Sequence, residues 1–486
     1  MIRLPPRESL TAVERYGLDL LIDLARVPAV DDAGVDVVRL LVAERDPPDP
    51  DLQTCIARDW YFERGAGMVR VPRVVLRRVT AVAAAAAEQQ SAARDRHGRV
   101  PSQENELVRS ELHTDPVVSQ AAARLRAAVI ASAERRPVAL AAPWPDGKRW
   151  ATAFTHDLDV VAFWPLFTML RVAELGRKRE LRRVGRTLLA GLAAVGHDPV
   201  RRAIRELLDD ERRSAVLSTW FVLCGTPTLA TIRAGDLTYR AEAPAAAAIL
   251  RDLADRGCEI GLHGSFATAD RHELFAEQRR RLERVTAGPV LGVRQHFLRM
   301  RPGTTSQGMA AAQFRYDSTY GFPDRNGFRL GVADVIPGWD AGAGQPTGLD
   351  EVPFCWMDRA LSKYAGVEDP GAWIAEGEAL AQACRRVDGL WVGVWHPNLT
   401  PALGFPDAPN AFRTLVQQLV AADPFIGTLS TIVEWRAARR SIRVRQVAPD
   451  GRLDAYAPVP GSKPLTLEDL SGRTLATVSA DPRALA

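Results

Sequence analysis

The sequence predicts an α/β protein: a central series of βα units, preceded by a small α/β domain and followed by a short β segment. Three observations carry this. Apolar strand candidates alternate with helical patterns through about 290 residues, the signature of βα units. Polar residues stand directly after several of those strands, where α/β folds carry their sites. The two ends break the rhythm, one helix-rich and the other a set of closely spaced short strands. The expected divisions are residues 1–142, 143–440 and 441–486, the last a β-rich tail packing on the central part. Alternation alone does not close the sheet into a barrel.

Residues 9–25 repeat apolar side chains at helical spacing, with Leu10, Val13, Leu18, Leu21 and Ile22 on one face and Ser9 as the expected N-cap. Apolar segments at 37–43 and 68–76 are divided by the breaker DPPDP. Residues 81–95 are Ala-rich, which favours a helix with a weak apolar face. A polar, turn-rich stretch covers 96–106, and a further helix is expected over 115–135. RWATAFTHDLD then reads as an apolar strand ending in acids, followed by a helical region at 165–192 and a buried strand in SAVLSTWFVL. A helix at 243–256, the strand CEIGLHG, a charged helix at 270–286 and VLGVRQH continue the pattern. FRYDSTYG, ADVIP, a helix near 371–387, LWVGVWH, a helix at 409–422 and FIGTLST complete it. SIRVRQV, GRLDAYAPV and GRTLATVSA read as short antiparallel strands.

Composition excludes several classes. Among 486 residues, 63 basic against 59 acidic side chains give a formal charge of +4, nearly neutral for this length. A nucleic-acid binder would carry a concentrated basic field. The basic clusters at 178–183 and 279–281 sit in helical patterns and read as solvated helix faces. Cysteines 55, 224, 258, 355 and 384 are odd in number and form no CxxC pair, against a disulfide framework or a thiolate zinc site. No stretch reaches the roughly 18 apolar residues that span a bilayer, and the start has no apolar signal core. The expected compartment is the cytoplasm. No GxGxxG or GxxxxGK[ST] element follows a strand, which weakens nucleotide-binding readings.

Eight histidines make position informative. His97, His113, His197 and His272 fall in polar or helical stretches and read as surface or cap residues. His156, His263, His296 and His396 fall in or after strands. Strand alternation puts Asp157 and Asp159 on one face, suited to one metal-binding carboxylate and one that activates water, or to a capped turn. His156 points the other way. His263, before a Gly loop, reads as a metal ligand or a satisfied core histidine. Arg294 and His296 share a face and can reach one site. His396 reads as a general acid, its pKa naturally near neutrality, or as a packed structural histidine. Asp and His ligands suit zinc or another divalent transition metal. Ser265 beside His263 leaves a serine hydrolase open, without a GxSxG elbow to support it.

The chain resembles the polysaccharide deacetylase superfamily, also called the NodB-homology or carbohydrate esterase family 4 fold. It is similar to a bacterial subgroup with a THDxD motif and an extra N-terminal domain. The matching segments are AFTHDLD at 153–159, STWFVLCG at 218–225, EIGLHGSF at 259–266 and GVRQHFLRMR at 292–301. YDSTYGFPDRNGFRLG at 316–331, VWHPN at 394–398 and Glu434-Trp435 complete the set. The resemblance implies a distorted (β/α) barrel and metal-dependent removal of an acetyl group from a sugar. It implies Asp157 as base, Asp159 and His263 as metal ligands, Arg294 steadying the base and His396 protonating the leaving group. Asp324 would orient His396 or shape the pocket. Arg329 and Trp395 would contact substrate, and a backbone N–H near Phe266 would face the oxyanion. One divalent ion, zinc first, is the implied cofactor. An acetylated sugar, glycan precursor or glycolipid is the implied partner. Two departures stand out: Leu158 separates the aspartates, and Ala267 occupies the place of a second histidine ligand. His296 is the candidate replacement. Hydrolysis of a non-sugar amide and a non-catalytic glycan- or protein-binding barrel are the other readings.

Overall fold

The N-terminal region supplies the strands β1 (Ile2–Arg3), β2 (Ala29–Val30), β3 (Val38–Val42), β4 (Glu63–Gly65) and β5 (Met68–Val71). The Ala12–Ala25, Arg73–Ala83 and Val117–Ser132 helices share a core with them through Leu21, Val69, Leu76 and Val117. Thr11, not Ser9, caps the first helix. Its hydroxyl accepts from the Glu14 N–H, and the Glu14 carboxylate accepts from the Thr11 N–H. This reciprocal capping box satisfies two otherwise orphaned donors. The Ser9 hydroxyl donates to the Pro6 carbonyl instead. The structure is a computed structural model describing residues 1–480 apart from 32, 33, 162, 163, 197, 230, 232–235, 237, 302, 449–451, 460 and 462.

After β6 (Leu140–Ala141) comes the central sheet: β7 (Ala151–Leu158), β8 (Thr219–Leu223), β9 (Glu259–Gly264), β10 (Gly292–Gln295) and β11 (Tyr316–Asp317). It continues with β12 (Ile336–Asp340), β13 (Gln345–Glu351), β14 (Trp356–Met357), β15 (Leu390–Trp395) and β16 (Phe425–Ile426). The order is β12-β13-β11-β10-β9-β8-β7-β15-β14, with β16 also against β7. Within it the antiparallel pair is β12–β13, and the other pairs run parallel. The sheet curls into a half-barrel that stays open, since β12 and β14 do not pair among the described residues. The α/β class and the distorted barrel are therefore as expected. β7, β8 and β15 are buried along their whole lengths, which is why they read as nearly unbroken apolar runs. Helices fill the crossovers. Asp198 and Asp369 cap two of them, each followed by a proline whose missing N–H costs nothing at that position.

The chain ends in β17 (Arg443–Val447), β18 (Leu453–Ala457), β19 (Thr466–Glu468), β20 (Thr474–Thr477) and β21 (Ser479–Ala480). β17 pairs with β2, so β17, β18 and β21 extend the N-terminal sheet, while β19 and β20 join β6. Asp23 of the first helix accepts hydrogen bonds from Arg436 and Arg440 of the Leu429–Arg440 helix. Among the described residues no helix is long and apolar enough to cross a membrane.

Candidate metal centre

The carboxyl ends of the middle strands bring the predicted side chains together. Asp157 lies in β7 with Asp159 just beyond it, His263 lies in β9, Arg294 in β10 with His296 just beyond, and His396 follows β15. Arg294 is in register with His263, and Trp395 with His156. Adjacent parallel strands therefore deliver one cluster from residues more than two hundred positions apart.

Arg294 is fully buried and spends its donors on fixed partners. Its Nη1 donates to Asp157 Oδ1 at 2.8 Å and to Thr155 Oγ1 at 2.9 Å. Its Nε donates to the Ser318 carbonyl at 3.0 Å and its Nη2 to the Ser318 hydroxyl at 2.8 Å. Asp157 Oδ2 is left facing His263 Nε2 at 3.8 Å and His396 Nε2 at 3.9 Å. Burial pushes the Asp157 carboxyl up, but the Arg294 guanidinium, with His263 and His396, outweighs it and holds the group below the usual range. At Asp159 burial is likewise outweighed, here by His296, His263 and His396.

Proton positions make the cluster more telling. A carbonyl only accepts, so His263 Nδ1, 2.8 Å from the Arg294 carbonyl, carries the proton. In the neutral ring Nε2 is then a lone pair, and it faces Asp159 Oδ1 at 3.3 Å. Asp159 Oδ1 is buried and has no hydrogen-bond partner. His296 reaches the same oxygen: its Nδ1 meets Asp236 Oδ1 at 3.1 Å and its Nε2 stands 3.7 Å from Asp159 Oδ1. Buried acceptors aimed at one another call for a cation between them. Ligand atoms of Asp159, His263 and His296 all lie within 4.8 Å of one another. One carboxylate oxygen and two imidazole nitrogens, each ring fixed through its other nitrogen, are a donor set for a divalent metal. The residues present fit the ion.

Two carboxylates that no sequence pattern marks hold the histidines of the cluster. Asp358 Oδ1 lies 2.6 Å from His396 Nδ1, and its Oδ2 accepts from the His396 N–H at 2.7 Å. Burial would lower the His396 pKa, but the Asp358 carboxylate, then Asp159 and Asp157, raise it above the ordinary value. Asp236 braces His296 in the same way: burial opposes the charged ring, while Asp159 and Asp236 raise its pKa. Asp358 follows a two-residue strand, too short to show a period, and Asp236 itself belongs to no helix or strand.

Other expected residues stand elsewhere. Asp324 accepts from Ser102 Oγ at 2.5 Å and pairs with Arg325, so the carboxylate on His396 is Asp358, not Asp324. Arg329 is buried against Glu88 and donates to the Gly321 carbonyl at 2.8 Å, a tie between the half-barrel and the N-terminal region rather than a pocket wall. Trp395 packs beneath the outer helices on Trp356 and Phe412, because alternation turns it away from His396. The Phe266 N–H is taken by Asp236 Oδ2 at 2.8 Å. His156 points outward to Glu211 at 2.7 Å. His113 and His272 lie outside the cluster, and His197 lies outside the described residues.

His296 is presented by an unusual turn. Phe297 and Leu298 follow it with φ of 60° and 55°, left-handed values that cost non-glycine residues about 1 kcal/mol or more each. The Phe297 ring stacks on His296 at 4.0 Å and on His97 at 4.8 Å. The Phe297 carbonyl accepts from Arg99 Nη1 at 3.0 Å, and Arg99 Nε is anchored on Asp95 at 2.7 Å. The polar stretch around residue 97 thus braces the turn that carries His296. The cavity above the cluster is about 70 Å³, with Arg99, Arg359, Lys363 and Tyr364 among its lining residues. A roomier cavity of about 410 Å³ lies elsewhere, against the Ala12–Ala25 and Leu429–Arg440 helices, and holds no histidine.

No family model matches the chain, and no curated protein matches it. Among solved structures the chain is similar to a Mycobacterium smegmatis protein provisionally described as a polysaccharide deacetylase. That likeness has 24% identity, covers 61% of this chain and 93% of the other, and has a TM-score of 0.40. A CE4 family pseudoenzyme from Bacillus anthracis is 11% identical over 60% of this chain and 66% of its own, with a TM-score of 0.27. A mutant peptidoglycan deacetylase from Bacillus subtilis is 11% identical over 61% and 95%, with a TM-score of 0.30. At these identities the likenesses assign neither activity nor substrate.

Proposed function

We propose that the chain is a metal-dependent hydrolase that removes an acetyl group from a carbohydrate, glycan precursor or glycolipid in the cytoplasm. The observation that carries this reading is the convergence of one ligand atom each from Asp159, His263 and His296 within 4.8 Å of one another, with Asp157 and His396 facing the same space. A divalent cation held by those three residues, zinc on the chemistry of the donors, would polarise an acyl carbonyl and acidify a water molecule. Asp157, with one oxygen tied to Arg294, would take the proton of an attacking water through the other. His396 would deliver a proton to the leaving amine or alkoxide, a role supported by Asp358, which favours its charged form and fixes its ring. The order of the THDLD, EIGLHG, VRQH and VWHP segments supports the same assignment.

The cavity directly above the cluster is about 70 Å³, small beside the roughly 300–1,000 Å³ of pockets that enclose drug-sized ligands, which suits entry of the acyl group alone. The sugar would rest across the rim near Arg99, Arg359 and Tyr364. The same small cavity favours a second reading, hydrolysis of a compact non-sugar amide. Acetate release from a panel of acetylated sugars and simple acetamides, measured with zinc supplied, separates the two. Asp157→Asn is expected to lower kcat by about 100-fold or more, with metal content unchanged. Turnover comparable to the parent in that variant removes Asp157 from the role of base.

A further inference from the structure

Residues 164–193 form a helical hairpin between β7 and β8, made of the Trp164–Arg177 and Leu181–Ala193 helices. The two helices meet where the Thr168 methyl lies 3.1 Å from the place a Cβ on Gly191 would occupy. Away from that contact the first helix exposes Leu166, Met169 and Leu170. The second exposes Leu181, Leu188, Leu189 and Leu192, with Val195 just beyond. Their spacing of mostly three, four and seven makes outward stripes on the helices. These are eight of the thirteen exposed large apolar side chains among the described residues, each 46–75% exposed. Exposed apolar residues are ordinarily scattered singly, so such concentration marks an interaction face.

Charge identifies what covers it. Residues 171–186 carry seven basic side chains and two acidic ones, Glu174 and Glu180. Arg171, Lys178 and Arg183 are paired with those acids. Arg177, Arg179, Arg182 and Arg186 have no carboxylate partner among the described residues. An apolar helical stripe flanked by free arginines matches the headgroup–acyl boundary of an anionic bilayer. A second copy of the chain would instead set these arginines against their own kind. The cleft beneath the hairpin is lined by Phe167, Leu170, Leu403 and Phe405 together with Arg359 and Lys363. Arg359 and Lys363 also line the cavity above the metal-ligand cluster, so the exposed face stands beside the mouth of that site.

We propose that the 164–193 hairpin docks the protein on an anionic lipid bilayer, its leucines entering the headgroup layer and its free arginines meeting lipid phosphates. The test is co-sedimentation of the full chain with vesicles of equal parts phosphatidylglycerol and phosphatidylcholine, against vesicles of phosphatidylcholine alone. The parent is expected to bind the anionic vesicles and to release with salt. The Leu188→Ser/Leu189→Ser/Leu192→Ser variant is expected to lose at least about tenfold in affinity. Arg177→Gln/Arg179→Gln/Arg182→Gln/Arg186→Gln is expected to lose at least about tenfold and most of the salt dependence. Unchanged thermal melts show that the variants fold, and the arginine set carries the test should the leucine set fail to. Absence of vesicle binding, binding indifferent to lipid charge, or self-association through the hairpin without vesicle binding each overturns the proposal.

Discussion

Asp159 and His263 stand at the ends of β7 and β9, strands paired with a neighbour on either side in the middle of the half-barrel. His296 stands one step past β10 on a turn with two left-handed residues, braced by His97, Arg99 and Asp236. One half of the cluster is thus rigid through its sheet, and the other half is held from outside it. A strained backbone persists only where its surroundings over-determine it. The bracing contacts of the N-terminal region therefore belong to the geometry of the candidate cluster, although none of its residues is part of it.

The largest expected effect tests whether both halves are needed. His263→Ala is expected to bring zinc in the purified protein to background in metal analysis, and His296→Ala to do the same. Zinc retained in the His296 variant would reduce the cluster to its sheet-held half. A smaller effect is expected at the brace. Arg99→Ala removes the hydrogen bond to the Phe297 carbonyl and should weaken zinc binding by about 10- to 100-fold, the usual scale for a residue behind a ligand. Zinc affinity equal to the parent would show that the turn supports itself.

The same contrast explains what was legible in the sequence. Strand-end positions carry a local signal, an apolar run followed by a charged or imidazole side chain. Asp157, Asp159, His263, Arg294 and His396 could therefore be read directly as candidates, and the α/β class with them, whereas the barrel came only through the family resemblance. Asp358 and Asp236 act through contacts 38 and 60 residues away in sequence, and neither sits on a periodic element. Asp324 lies in a recognisable segment, GFPD, yet its partner is Ser102 of the N-terminal region. Arg329 likewise reaches Glu88. Trp395 is a different case, because strand alternation by itself turns it to the face opposite His396. The bracing role of residues 95–99 was invisible because a polar turn gives no sign of what it touches.

The subtlest contrast between the two regions is electrostatic, and pH separates it. Asp317 and Glu351 are register partners on β11 and β13, both buried, and Asp317 Oδ2 and Glu351 Oε2 have no hydrogen-bond partner. Burial pushes the Asp317 carboxyl up to about 7, and burial with the neighbouring Asp317 holds Glu351 well above its ordinary value. A carboxyl with a folded pKa above its unfolded one stabilises most below the unfolded value, and that contribution is lost as pH rises through about 7. Asp23, between the first helix and the Leu429–Arg440 helix, has the opposite sign. Burial is outweighed there by Arg436, Arg440 and Arg439, and its pKa falls to about 2. Its contribution is present above the unfolded value of 3.8 and is lost as pH falls toward 2. Thermal melts should therefore show Tm declining as pH rises through neutrality, and Asp317→Asn should flatten that decline while leaving the acid limb in place. A variant that keeps the full decline toward neutral pH would place its origin outside the β11–β13 pair.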